Sequence, residues 1–160
     1  YPQGRFWRTR SRQLPPMRVN KHTDYALRVL IYLGSRQGGR VTTQSIADAF
    51  SISLSHLQKV VRQLGELGLV ELFRGVNGGI ELIQSPAEIS VGAVVRALDD
   101  RDGWIECFQP ETDECVISSV CGLKGSLRTA QEAFYSSLDP VTIQGVIGSR
   151  ASKLRRLTGS

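Results

Sequence analysis

Long apolar runs are missing from this chain. None approaches the roughly 18–20 residues that span a bilayer, so no membrane helix is expected. Cysteine is scarce and odd in number, with three in 160 residues, which fits poorly with a closed disulfide framework. No two of the cysteines have the paired CxxC spacing of a zinc ribbon. The two histidines, His22 and His56, show no nucleophile–base arrangement, and no phosphate-binding glycine motif occurs, so an enzyme is the least favoured class. No signal-peptide pattern opens the sequence. We therefore expect an intracellular, reducing compartment, where clustered thiols are more often metal ligands or redox sensors than disulfides. What is left, 41% hydrophobic and 22% charged, is the balance of a soluble globular protein with room for one or two small domains.

The formal charge of +5 is weak support for nucleic-acid binding. Residues 1–16 supply Arg5, Arg8, Arg10 and Arg12 and no acid; taking those 4 from 20 basic residues leaves 16 against 15 acids, a net +1. That segment lacks hydrophobic periodicity and ends in Pro15-Pro16, just before Met17, the single methionine. It is read as a tag remnant or upstream-translated leader, disordered, with a basic arm for phosphates as the functional alternative. The remaining charge is uneven. Residues 17–84 hold 8 basic against 5 acidic side chains, a net +3, whereas Asp99 to Glu114 hold seven acids and one arginine. The first stretch is better suited to face DNA.

Hydrophobic spacing supplies the organisation. Ala26, Val29, Leu30 and Leu33 recur at i, i+3, i+4, i+7, predicting a helix from about Asn20–Thr23 to before Gly38-Gly39. Thr42 or Thr43 can cap a short second helix ending near Phe50, and Ser53 can cap a third over about Leu54–Leu67, closed by Gly68. Leu69–Arg74 and Ile80–Ile83 read as strands around a Gly75–Gly79 turn. Further helices are expected over about Ser90–Leu98, Leu123–Leu138 and Val141–Ile147.

Helix, three-residue turn, helix and hairpin is the order of a winged helix-turn-helix. Ala47 sits where the two helices cross, Ile52 plugs the turn, and Leu57, Val60, Val61 and Leu64 form the inner face of the third helix. The turn often begins with glycine, which accepts positive φ cheaply; Ser51 departs from that. The outer face offers Ser53, Ser55, His56, Gln58, Lys59 and Arg62 to base edges and phosphates of a major groove. Arg74 with Gly75, Asn77, Gly78 and Gly79 forms a wing suited to a minor groove, and Arg18 adds a cation ahead of the first helix. The plainer alternative is a helical protein–protein domain whose exposed helix is simply polar.

Cys107, Cys115 and Cys121 are separated by seven and then five residues. Three thiols in one loop can wrap an iron–sulfur cluster, bind zinc with a fourth ligand, cycle as redox thiols, or lie inert. The acidic surroundings disfavour free thiolates and so favour metal-bound ones. A fourth ligand has to come from His22, His56 or one of many carboxylates.

Several stretches together resemble one family: Met17 to Arg28, Ile52 to Leu57, Arg74 to Ile80, the three cysteines with Gly122-Leu123-Lys124, then Ala133-Phe134-Tyr135 and Leu138-Asp139-Pro140. They are similar to the Rrf-two family of iron–sulfur transcription regulators, over about Met17 to Ile147, and most of all to its nitric-oxide-sensing branch. The resemblance implies a mainly α protein: a winged helix-turn-helix DNA-binding domain over 17–84 and a cluster loop and long dimerisation helix over 85–147; beyond the resemblance, the basic, small-residue composition of 148–160 suggests a flexible tail that frays. It implies a homodimer on a palindromic operator of double-stranded DNA, acting as a cytoplasmic repressor that lets go when nitric oxide destroys the cluster. Cys107, Cys115 and Cys121 would be ligands to a 4Fe–4S cluster, or a 2Fe–2S one, with the partner subunit's Asp24 as the fourth. One branch uses a histidine three residues after the last cysteine; Lys124 stands there instead, which argues against that ligation. An iron- or redox-responsive member, or a cluster-free thiol sensor, is the alternative reading. By itself Asp24 is an ordinary first-turn carboxylate favoured by the helix dipole.

Overall fold

The computed structural model describes residues 19–36, 38–75, 78–99, 105–108, 111 and 113–159. Helix α1 (Lys21–Gly34) is the central element, wrapped by α3 (Leu54–Glu66), α4 (Val91–Asp99) and α6 (Ile143–Ile147). Its apolar stripe of Ala26, Val29 and Leu30 is fully buried. The helix starts where Asn20 Oδ1 accepts the Thr23 amide at 2.8 Å, filling one of the orphan donors of a helix start. Asn20 Nδ2 in turn donates to Asp99 Oδ1 at 2.8 Å, so the positive end of α1 meets a carboxylate at the end of α4.

Helix α2 (Thr43–Phe50) is capped by Thr42, whose hydroxyl accepts the Ser45 amide at 3.1 Å. It ends at Ser51, the one non-glycine among the described residues with positive φ, at 52°. The turn needs the left-handed conformation, and Ser51 adopts it at the steric cost glycine avoids. Because Ser51 is exposed, Ser51→Gly should remove roughly 1–2 kcal/mol of left-handed strain and lose roughly 0.5–1 through a floppier unfolded chain. A net gain of about 0.5–1 kcal/mol is expected in urea denaturation.

Strands β1 (Val70–Phe73) and β2 (Gly79–Leu82) pair antiparallel, Val70 opposite Leu82 and Phe73 opposite Gly79. Val41 extends this hairpin by a bridge to Ile80, with N–O distances of 2.8 and 3.0 Å. A Cβ on Gly79 would sit 2.9 Å from the Val41 carbonyl, so the rung forms only against glycine.

Helix α5 (Gly122–Leu138) leaves this body. Its C-terminal half is tied to α4: Arg96 reaches Glu132 at 2.8 Å and Asp139 at 3.2 Å and lies over Tyr135, and the Ser90 hydroxyl donates to the Asp139 carbonyl at 2.8 Å. Of its 17 residues only Tyr135 is buried.

The basic C-terminal stretch is not the frayed tail its composition suggests. Residues 148–150 form a short 3-10 turn that runs into α7 (Ala151–Leu157). Ala151 and Leu154 pack on the core, and Arg155 donates to the Ser35 carbonyl at 2.6 Å, while Arg36 donates to Thr158 Oγ1 at 3.2 Å. Arg155 thus satisfies the Ser35 carbonyl and Arg36 the Tyr32 carbonyl, the latter at 3.2 Å, at the negative end of α1, a role that local composition does not reveal. Smaller differences occur at two caps. Helix α6 starts at Ile143 behind Thr142, two residues later than expected, and Ser53 occupies the N-cap position of α3 without making a cap hydrogen bond.

Candidate functional site

The outer face of α3 is open. Ser53, Ser55, His56, Gln58, Lys59 and Arg62 are all exposed, while Leu57, Val60, Val61 and Leu64 on the opposite side are at most 2% exposed. Arg62 donates to Glu66 at 3.1 Å, an exposed pair of little energetic consequence that a phosphate could replace. A groove of about 670 Å³ runs between this face and the first turn of α1, bordered by His22. His22 Nε2 is the one buried side-chain polar atom among the described residues with no hydrogen-bond partner.

Arg74 and Gly75 are exposed at the wing, with Gly78 and Gly79 half-buried beyond them; Arg18 and Asn77 lie outside the described residues. Arg40 is a cation that the sequence reading missed. It stands on the strand-like segment beside the wing with its guanidinium 3.6 Å from the centre of the Phe73 ring. Stacking fixes the group while leaving its donors outward. Its only sequence signal is its place two residues before the cap of α2. Lys59 and Arg62 on α3 and Arg40 and Arg74 at the wing thus supply cations from two elements of one domain, the pattern of phosphate contacts flanking an inserted helix.

The thiol loop lies at the head of α5. Cys107, in the 3-10 turn Glu106–Phe108, and Cys121, the N-cap residue of α5, are half-buried; Cys115 is exposed, and all three are free. Helix α5 begins directly after Cys121, so this cysteine stands where the helix presents its unpaired amides. Phe108 is held against α5 by Arg128, 5.5 Å from its ring centre. Asp113 organises the middle of the loop: Oδ1 accepts the Cys115 amide at 3.1 Å, and Oδ2 accepts both the Ser118 hydroxyl and the Lys124 ammonium, the latter at 3.3 Å. The Ser118 hydrogen bond, aided by the Cys115 amide and Lys124 and opposed by desolvation, holds the Asp113 carboxyl below its ordinary range.

Among the described residues, no three His, Cys, Asp or Glu side chains stand close enough to hold one metal ion. The three cysteines are therefore on one loop but not gathered to a point. Asp24 lies on α1, half-exposed and held by Arg28 at both oxygens, Nε to Oδ1 at 3.2 Å and Nη2 to Oδ2 at 2.7 Å. In kind, the donor set fits an iron–sulfur cluster: three free thiols on an irregular loop can close around an extended inorganic core more readily than around one ion.

Residues 19–149 match the family model Rrf2, described as an iron-dependent transcriptional regulator. A protein of Geobacillus kaustophilus called HTH-type transcriptional regulator NsrR is 46% identical over 137 residues, 85% of this chain and 93% of that protein. Proteins of the same name from Bacillus licheniformis and Bacillus subtilis are 44% and 41% identical, covering 82% and 88% of this chain and 92% and 97% of theirs. Among solved structures, Staphylococcus aureus CymR superposes with a TM-score of 0.61 at 26% identity, over 81% of this chain and 97% of that one. No helix among the described residues is long and apolar enough to cross a membrane.

Proposed function

The chain belongs to the Rrf2 family of iron-dependent transcriptional regulators, and from that premise we propose that it is a DNA-binding repressor that senses nitric oxide through an iron–sulfur cluster. The observation that carries this reading is the placing of three free thiols at the head of a helix that leaves a winged helix-turn-helix body. Relatives named NsrR, 41–46% identical across nearly their whole length, support the repressor function.

The protein acts as a homodimer. Leu123 is 63% exposed on α5, and Val116 and Val120 in the adjoining loop are 96% and 83% exposed, apolar surface that a second copy would cover. Two-fold symmetry then sets two α3 helices on half-sites of a palindromic operator. Ser55, His56, Gln58, Lys59 and Arg62 face the major groove, Ser53 meets phosphate with an exposed hydroxyl that caps no helix amide and shares a 3.5 Å hydrogen bond with Ser55 Oγ, and Arg74 with Gly75, Asn77, Gly78 and Gly79 enters the minor groove. Arg18 and Arg40 hold flanking phosphates.

Cys107, Cys115 and Cys121 would hold a 4Fe–4S or 2Fe–2S cluster together with the partner subunit's Asp24. When bound, the cluster supplies iron open to nitric oxide, most of all where oxygen rather than sulfur is the ligand. Asp24 is the junction between sensor and reader. Its carboxylate is shared with Arg28, whose guanidinium lies 5.9 Å from the rings of both Tyr25 and Phe50. Phe50 ends α2, directly before the turn that aims α3. Asp24 thus has two employments, one on its own helix and one across the dimer, and the first competes with the second. Arg28→Ala removes the competitor. A half-exposed ion pair contributes at most about 1 kcal/mol, so loss of visible absorbance under a chelator should slow by up to about fivefold. Faster loss in that variant would mean that Arg28 supports ligation rather than opposing it.

Iron and acid-labile sulfide counted per protomer in oxygen-free protein test the cofactor. Four of each, about two of each, or zinc without sulfide distinguish the two cluster types and the zinc alternative. A second reading, a cluster-free thiol sensor, is favoured by the exposure of Cys115. It predicts metal-free protein whose mass shifts reversibly under peroxide. An iron-responsive regulator would instead keep its operator under nitric oxide and release it on iron depletion.

A further inference from the structure

Lys124 sits in the first turn of α5, where a cation is opposed by the helix dipole. Nothing about forming this helix calls for it there. Its ammonium turns back to the loop, donating to Ser118 Oγ at 2.7 Å and to Asp113 Oδ2 at 3.3 Å. Both charged partners are largely shielded, at 27% and 15% side-chain exposure, unlike the other ion pairs among the described residues. The three side chains close a polar clamp. Asp113 stands two residues before Cys115 and fixes its amide, Ser118 lies midway between the second and third cysteines, and Lys124 comes three residues after Cys121. Between them the loop has only two successive turns, Ser118 N to Cys115 O and Val120 N to Ile117 O, each 3.0 Å. Its apolar side chains Val116 and Val120 point outward and hold nothing within the protomer. The clamp ties the segment carrying Cys115 to the helix that follows Cys121.

We propose that Lys124, acting through Asp113 and Ser118, is the positioning residue that fixes Cys115 relative to Cys121 and so sets how long the loop keeps its cluster. The proposal rests on the reading of this loop as a cluster site. Lys124 touches none of the reacting atoms. It limits the arrangements the loop can take, so that Cys115 has fewer positions relative to Cys121 to search when a cluster is taken up. A ligand that leaves is then held close enough to return. The ammonium also offsets part of the negative charge that thiolates and the acid-rich loop bring together. The same lysine that cannot ligate therefore serves ligation from one layer further out, as outer hydrogen-bonding partners do at metal sites generally.

The test uses the full chain, loaded without oxygen, as wild type, Lys124→Met, Lys124→Arg, Asp113→Asn and the Lys124→Met/Asp113→Asn double variant. Decay of visible absorbance after adding an iron chelator gives the release rate, and thermal melting of the metal-free proteins reports the fold. Lys124→Met, similar in length but uncharged, should release roughly 10-fold faster with a melting temperature close to wild type. Lys124→Arg should restore most of the lifetime. The double variant should release no faster than the worse single one, because the two residues act as one unit. If wild type holds iron and sulfide while Lys124→Met releases at the wild-type rate, the clamp proposal is overturned and the cluster reading stands. A wild type that takes up no iron or sulfide overturns both. Should Lys124→Met melt early, Ser118→Ala, which keeps both charges, decides: faster release supports the clamp, and an unchanged rate removes it.

Discussion

Cys121→Ala is expected to give a folded protein that carries no stable iron–sulfur cluster and binds its operator about 5- to 150-fold more weakly than loaded wild type, the range of a coupling of roughly 1–3 kcal/mol. The fold should survive because Cys121, although at the N-cap position of α5, makes no cap hydrogen bond and is only half-buried. What is lost is a soft ligand held by a helix of 17 residues, the most firmly placed donor of the three. The remaining thiols belong to the 3-10 turn at Cys107 and to the Asp113-organised loop at Cys115, and neither can fill the vacated position without moving the segment that carries it. Iron and sulfide analysis, with operator titration at fixed salt, reads both effects. Wild-type stoichiometry of iron and sulfide in this variant would remove Cys121 from the ligand set.

The second large effect is structural and lies where α4 meets the end of α5. Gly92 is buried on α4, and a Cβ there would stand 2.5 Å from the Asp139 amide nitrogen and 2.7 Å from its Cα, besides striking the Asp139 carboxylate. Backbone atoms cannot swing aside as a side-chain tip can. Gly92→Ala must therefore push α5 away from α4. That also strains the Ser90–Asp139 hydrogen bond and the bridge from Arg96 to Asp139. Overpacking of this kind costs up to about 3 kcal/mol, and at roughly 2–4 °C per kcal/mol for a domain of this size the melting temperature should fall by about 6–12 °C. Since α5 also carries Cys121 and the proposed dimer face, the variant should dissociate more readily in sedimentation. A denaturation midpoint equal to wild type would mean that the two helices do not approach so closely.

Much of the reader was legible because it is built from local rules. The i, i+3, i+4 spacing of Ala26, Val29, Leu30 and Leu33 and the cap expected at Thr42 or Thr43 place α1 and α2 within a few residues of where they occur. The turn that usually takes glycine does force positive φ on Ser51. The groupings that escaped the reading join elements far apart in the chain. Arg155 and Ser35 are 120 residues apart, so a helix-capping arginine looked like part of a loose basic tail. Lys124 drew notice only as a residue that cannot ligate and Asp113 only as one acid among seven, and the folded loop shows the two shielded and joined through Ser118. Arg40 shows its aim only when Phe73 is brought beneath it by strand pairing. The donors of the thiol loop were evident from residue type, but residue type does not report how far apart the loop leaves them in one protomer.

In the proposed mechanism, what the three cysteines hold decides how firmly two α3 helices grip one operator. The most direct measurement is the affinity of the oxygen-free dimer for a palindromic duplex selected with the loaded protein, at one salt concentration, in three states: loaded, stripped by a chelator, and exposed to nitric oxide. Binding should be tight in the first state and about 5- to 150-fold weaker in the other two. Equal affinity in all three states would contradict the proposed mechanism.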